Sequence, residues 1–280
     1  MLPDVYLYAI RNKDKEFSSI SENNSKNRNI LLTAKGIWID YQPVSKSCVI
    51  AGVDSSYNMQ HFQGFHLYVI DAACVTKEGN ILAKEFIHKI GVLDRNQLEA
   101  KSLEIETNIA YKANNNVNLI LVDGSLISRF VSVYPSVVKS VMDLIKEYRN
   151  IVFISKTSDS REIFKHMNSK VGDIYFFNHI SSKAGYSKPH IITRYKESIT
   201  VVYARLSDFS PLIKLEFPRE ITQQKVKGIL DQLAHDSVSG YPYVLKLAHN
   251  TVVVSDNDIE RLAGIYGLKN EVGAREVLRK

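Results

Sequence analysis

Two apolar runs in this chain each stop at an aspartate, and they constrain the fold more than any other feature. Cys48–Ser56 reads CVIAGVDSS and Val117–Gly124 reads VNLILVDG. Continuous apolar runs of this length, rich in β-branched residues, suit strands buried inside a sheet. Around Asp54 the small or polar residues Gly52, Ser55 and Ser56 are expected to let the backbone turn. The first strand is therefore expected to end at its carboxylate. Asp54 by itself serves equally well as a turn cap. A second strand with the same ending adds another possibility. If the two strands lie side by side and parallel, Asp54 and Asp123 emerge at the same end of the sheet, on strands about 4.8 Å apart. Ligands of open α/β sheets bind at that end.

Between the two runs the pattern changes period. Gly64–Thr76 and Ile81–Ile90, joined by Lys77-Glu78-Gly79-Asn80, read as a hairpin that makes three sequential antiparallel strands with the first run. Asp94–Asn115 switches to helical spacing, with Asp94 as cap and Asn114-Asn115-Asn116 as breaker. This helix carries Glu104 and Glu106. Glu106 falls on the face of Leu103, Ile109 and Ala110, and Glu104 on a more polar face, so Glu106 is the better candidate to point at the sheet.

Elsewhere the pattern predicts strands at Val5–Ile10, Ile151–Ser155, Asp173–Phe177, His190–Tyr195, Ile199–Leu206 and Leu212–Phe217. It predicts helices over 132–149, 160–168, 222–235 and 256–266, with Gly240–Val254 as loop and short extended chain. Residues 16–29 are polar and read as a loop or flexible arm. The fold class is α/β, a mixed sheet flanked by helices. With no repeat and no Gly- or Pro-rich linker, a single domain over 1–280 is expected.

Three carboxylates without a Cys₂His₂ or His₃ set are hard oxygen ligands, which favour Mg²⁺ or Mn²⁺ over zinc. Paired ions of that kind serve in-line phosphoryl chemistry. In the tail, Tyr241 and His249 are candidates for substrate contact and for metal binding or proton transfer, against the plainer roles of a loop cap and a satisfied histidine. Lys156, following the strand at Ile151–Ser155, is a candidate phosphate ligand or simply a surface charge. The segment 156–205 holds nine basic against four acidic residues, with Tyr175, Phe176, Phe177, Tyr186, Tyr195 and Tyr203 among them. That suits a strand-tracking groove, or else a basic surface over an aromatic core.

The chain carries a net charge of +6 and only two cysteines, Cys48 and Cys74. The cysteines, the absence of a signal-like N-terminus and the lack of a membrane-length apolar run lead us to expect a cytoplasmic protein.

The set AGVDSS, Glu106, LVDGSL, ISKTSDS and YPYVLKLAH, in this order from about residue 48 onwards, resembles the NurA nuclease family. The resemblance implies an RNase H-like fold and a manganese-dependent DNA nuclease with single-strand endonuclease and 5′-to-3′ exonuclease action. It implies a homodimer working with a HerA-type hexameric ATPase in DNA end resection. By motif match it places metal ligands at Asp54, Glu106 and Asp123, and the family's Tyr and His at Tyr241 and His249. Residues 1–47 carry no family motif. A nucleic-acid-binding or ATPase-regulating subunit without catalysis is the alternative, and an RNase H-like enzyme acting on RNA a third reading.

Overall fold

The computed structural model describes residues 3–18, 25–113, 117–147 and 150–271. The chain opens with helices α1 (Pro3–Ser18) and α2 (Ser25–Ile37), followed by the short strand β1 (Trp38–Asp40). VYLYAI is thus helical, not the expected strand. Its apolar residues Val5, Tyr6, Leu7, Tyr8 and Ile10 are exposed. Asp4 in the first turn and Lys15 in the last complement the helix dipole. Of the polar stretch 16–29, residues 19–24 lie outside the described residues and the rest is helical.

The expected antiparallel set follows as β2 (Ile50–His61), β3 (His66–Thr76) and β4 (Ile81–Gly91). One correction concerns its first strand. β2 does not turn at Asp54 but runs on unbroken for seven more residues, paired throughout with β3. Helix α3 (Arg95–Lys112) opens with a capping box between Asp94 and Gln97; the asparagine run 114–116 lies outside the described residues. Then come β5 (Leu119–Asp123), α4 (Leu126–Phe130), α5 (Pro135–Glu147) and β6 (Ile151–Ser155). The helix expected over 132–149 is α5, and the short helix α4 ahead of it was not expected. Pro135 starts α5, a position where its missing N–H costs nothing.

After β6 the expected helix at 160–168 is reduced to a 3-10 turn, Lys165–Met167. The expected strand at 173–177 is helix α6 (Asp173–Ile180). The buried Asp173 carboxylate accepts the N–H groups of Ile163 and Phe164, so the first residue of α6 ties down the loop before it. Strands β7 (Gly185–Ser187), β8 (His190–Arg194), β9 (Glu197–Arg205) and β10 (Ile213–Phe217) lead to α7 (Gln223–His235), capped by Thr222. The two-residue strands β11 (Ser237–Val238) and β12 (Tyr241–Pro242) precede α8 (Tyr243–Val252) and α9 (Asp256–Ile265). Helix α8 corrects the expected loop at 240–254: Val244, Leu245, Ala248 and Val252 form a buried helical stripe.

The main sheet has ten strands in the order β1-β7-β9-β10-β6-β5-β2-β3-β4, with β8 added beside β9. β5 is parallel to both β2 and β6, and the other pairs are antiparallel. Helices cover both faces. On one, α3, α5 and α6 bury Ile105, Ile109, Val141, Leu144 and Phe176 against Val53, Ile120, Val122 and Phe153. On the other, α7 and α8 bury Val226, Leu230, Val244 and Leu245 against Ile50, Leu121 and Ile154. Among the described residues no helix is long and apolar enough to cross a membrane.

Candidate active site

The parallel pairing of β2 and β5 sets Val53 beside Val122. Asp54 and Asp123 therefore follow as neighbours at the point where β5 stops and β2 continues. Side chains alternate along a strand, so Asp54 shares the α8 face with Ile50 and Gly52, while Ser55 shares the α3 face with Ala51 and Val53.

Gly52 explains how α8 reaches this point. A Cβ there would lie 2.6 Å from the Val244 carbonyl oxygen, so only glycine lets the start of α8 rest directly on β2. One and a half turns further along, His249 Nδ1 meets Asp54 Oδ2 at 2.9 Å. The other Asp54 oxygen accepts the Ser55 N–H at 2.8 Å. Burial raises the Asp54 pKa above the ordinary carboxylate range and the charge of Asp123 adds to the rise, while the His249 hydrogen bond opposes it.

Asp123 is met from the same side. Lys156 Nζ lies 2.8 Å from its Oδ2, and the Tyr241 hydroxyl donates to Oδ1 at 3.4 Å. The Lys156 ammonium also sits 4.8 Å from the centre of the Tyr241 ring. Burial, then the charges of Asp123 and Asp54, push the Tyr241 phenol far up, so it remains a donor. Past Asp123 the chain turns through Gly124 at φ +97°, a left-handed conformation that favours glycine. Ser125 then caps α4.

Glu106 arrives from the other face. Its carboxylate is buried, accepts the Ser55 hydroxyl at 2.5 Å and receives Arg129 Nη2 at 2.6 Å. Burial raises its pKa to about 7; Arg129 pulls against that and the charge of Asp54 adds to it. Glu104 is only partly buried, so the choice of Glu106 as the inward acid agrees with the packing.

Two functional-looking groups escaped the sequence reading. Arg129 is fully buried. It also donates to the Asp123 carbonyl at 3.1 Å, and to the Leu103 carbonyl and Thr107 hydroxyl, each at 3.2 Å. It thereby fixes the backbone of one acid and the side chain of another. The signal was an arginine inside the apolar run LISRF, which demands a buried acceptor. Glu216, buried on β10 beside Lys214, accepts the Ser125 hydroxyl and the Ile127 N–H, each at 3.0 Å. It staples the turn that follows Asp123. Here the signal was a lysine and a glutamate two apart in the buried strand IKLEF, hence on one face.

Of the two readings of segment 156–205, the packing favours a basic surface over an aromatic core. Phe176, Phe177, Tyr186 and Tyr203 are fully buried, and Arg205 is buried. Arg194 is paired with Glu162.

Three carboxylates and one imidazole are the donor set that suits Mn²⁺ or Mg²⁺, and a divalent cation would relieve the repulsion between Asp54 and Asp123. Among the described residues no three acid, histidine or cysteine side chains already converge as a metal cage. Each acid is turned instead to a protein donor: Asp54 to His249, Asp123 to Lys156 and Glu106 to Arg129.

A mixed sheet covered by helices, with acids gathered where two parallel strands meet, defines an α/β protein with a carboxylate-centred site. The NurA domain model matches residues 48–254, and the chain belongs to that family. A DNA double-strand break repair nuclease NurA from Sulfurisphaera tokodaii is 23% identical, with 97% of each chain covered. The crystal structure of the NurA nuclease from Sulfolobus solfataricus superposes with a TM-score of 0.82 at 20% identity, covering 98% of this chain and 99% of that one. A NurA bound to dAMP and manganese superposes at 0.70 with 14% identity over the full length of both.

Proposed function

We propose that this chain is a manganese-dependent DNA nuclease whose phosphodiester hydrolysis takes place over Asp54 and Asp123. The observation that carries the reading is the placement of those two carboxylates side by side on parallel strands, with Glu106 held behind them and His249 in front. Relatives across almost the whole chain are named as DNA repair nucleases, and one solved family member holds both a nucleotide and manganese. Magnesium suits the same donors.

In this reading Asp54, Asp123, Glu106 and His249 hold the metal, as a pair of ions. Bound manganese supplies Lewis-acid charge to the phosphate and lowers the pKa of the attacking water. The protein does the rest. Arg129 and Ser55 hold Glu106 in one orientation. Lys156, half-exposed beside Asp123, is placed to take a phosphate oxygen of the strand. His249 has its Nδ1 engaged by Asp54, so Nε2 is the nitrogen left to hold the metal. The Tyr241 hydroxyl, kept protonated, donates to Asp123 or to a phosphate oxygen. Family membership extends the reading to a homodimer, a HerA-type hexameric ATPase partner and a role in DNA end resection.

The test is cleavage of labelled single-stranded DNA in Mn²⁺ and in EDTA. Asp54→Ala and Asp123→Ala are expected to lose about 10³-fold or more of the metal-dependent rate while keeping the wild-type circular dichroism. Full manganese-dependent cleavage by either purified variant would sink the assignment.

A further inference from the structure

Beside the candidate active site lies a second cavity, of about 660 Å³, within the roughly 300–1,000 Å³ range of small-ligand sites. The loop Lys156–Asp159 is its shared wall: the same residues line a cavity of about 540 Å³ that contains Asp123. On the far side the floor is apolar, made by Ile174, Pro211 and Leu212, and the wall is α6, presenting Tyr175, Asn178 and His179. The Tyr175 and His179 rings sit 4.1 Å apart, centre to centre. Of the six aromatics interleaved with basic residues in 156–205, four are core. Tyr175 lines this cavity.

The walls are held in place by groups that the catalytic reading does not use. Arg205 reaches up from β9 and donates to Asn178 Oδ1 at 3.0 Å, to the Ser181 carbonyl at 3.2 Å and to the Ser210 carbonyl. It thus ties the end of α6 to the loop before Pro211. At the other end, the Asp173 N–H donates to the Ser160 carbonyl at 2.8 Å. A Cβ on Gly172 would lie 2.4 Å from the Ser158 carbonyl oxygen. The Lys156 loop is therefore docked directly onto the start of α6.

We infer that this cavity is a subsite for one unpaired nucleobase of the DNA strand, adjacent to the scissile phosphate. It rests on the nuclease reading, which places that phosphate at Asp123. A base is a flat apolar body with a polar rim. The apolar floor and the ring pair match its faces, and Asn178, Ser158 and the exposed Asp159 match its rim. Lys156 stands between the two cavities, where the backbone joining base and phosphate has to pass. A base held in a duplex enters only once it is unpaired.

The test uses the full chain in EDTA, which separates binding from cleavage. A single abasic site is walked along a short single-stranded oligonucleotide and affinity is read by fluorescence anisotropy. In the wild type one position is expected to show a loss on the order of 10-fold, the scale of one stacking contact. In Tyr175→Ala the intact oligonucleotide binds about 10-fold more weakly and the abasic penalty at that position disappears, the signature of a coupled pair. Tyr175→Phe keeps the ring and keeps the penalty. His179→Ala, at an exposed position, reduces it and carries the same test should Tyr175→Ala fail to fold. No sensitive position in the wild type, or an unchanged penalty in Tyr175→Ala and His179→Ala, overturns the subsite. Absence of manganese-dependent cleavage with the penalty intact overturns the nuclease reading alone.

Discussion

Two ion pairs flank the end of β5, one on each face of the sheet. On the α3 side Arg129 and Glu106 meet at 2.6 Å, with side chains 1% and 4% exposed; on the α8 side Lys156 and Asp123 meet at 2.8 Å, 48% and 18% exposed. The contact lengths are nearly the same and the chemistry is the same. The difference is water. A pair that water reaches forms and breaks at little cost, because solvent takes over from either partner. A pair without water cannot be opened from one side alone, since the remaining charge is stranded in a poor solvent. The first kind can give up its protein partner for a ligand; the second keeps its partner, and a metal it meets adds to that contact through the carboxylate's remaining lone pairs. By this comparison Glu106 is the fixed member of the acid cluster and Asp123 the one free to change partner.

The largest effect is expected where the buried pair is cut. Arg129→Ala should lower stability by about 3–5 kcal/mol, measured by urea unfolding, because it strands the Glu106 carboxylate and releases the Asp123 carbonyl. Adding Glu106→Gln should recover part of the loss by removing the stranded charge. If Arg129→Ala unfolds within about 1 kcal/mol of the wild type, the two pairs do not differ in kind and the comparison fails.

This contrast also marks the limit of what the sequence could say. Asp54, Asp123, the hairpin between them and the inward face of Glu106 were legible because each depends on local periodicity. The acids lie on neighbouring parallel strands as a pair of similar endings suggested. Asp54, however, is not at a strand end. β2 continues past it because β3 pairs with all of it, a tertiary fact that overrides the turn chemistry of Gly52, Ser55 and Ser56. Arg129 and Glu216 were illegible for a related reason. Their partners lie 23 and 91 residues away, and a lone buried charge shows in sequence only as an oddity. Helices α6 and α8 lie on short apolar runs, which fit either period. What decided α6 was Asp173 holding the preceding loop, and what decided α8 was its seat on Gly52.

That seat offers the intermediate test, at the contact that brings His249 to Asp54. Gly52→Ala drives a Cβ into the Val244 carbonyl, which is backbone and cannot rotate away. The expected cost is about 1–3 kcal/mol of stability, the range for overpacking. Because α8 must shift to relieve the clash, manganese-dependent cleavage should fall as well, measured beside the unfolding curve. Wild-type values for both would show that α8 is not anchored where it meets β2.

The smallest effect on stability, and the sharpest on mechanism, is expected at the exposed pair. Lys156→Met should change stability by less than about 1 kcal/mol, since the ammonium is half in water and its loss leaves Asp123 solvated. Manganese affinity, read by calorimetry, should hold or tighten, because the variant removes a cation that competes for the same carboxylate. Binding of single-stranded DNA should weaken, and its salt dependence should lose roughly one phosphate's worth of slope. These three readings separate two roles. A lysine that only orders Asp123 for the metal would, when removed, weaken manganese binding and leave the salt slope alone. A lysine that occupies the metal's place until the strand arrives does the reverse. A tenfold loss of manganese affinity in Lys156→Met would therefore assign the pair to scaffolding and remove the exchange that the two faces of the sheet suggest.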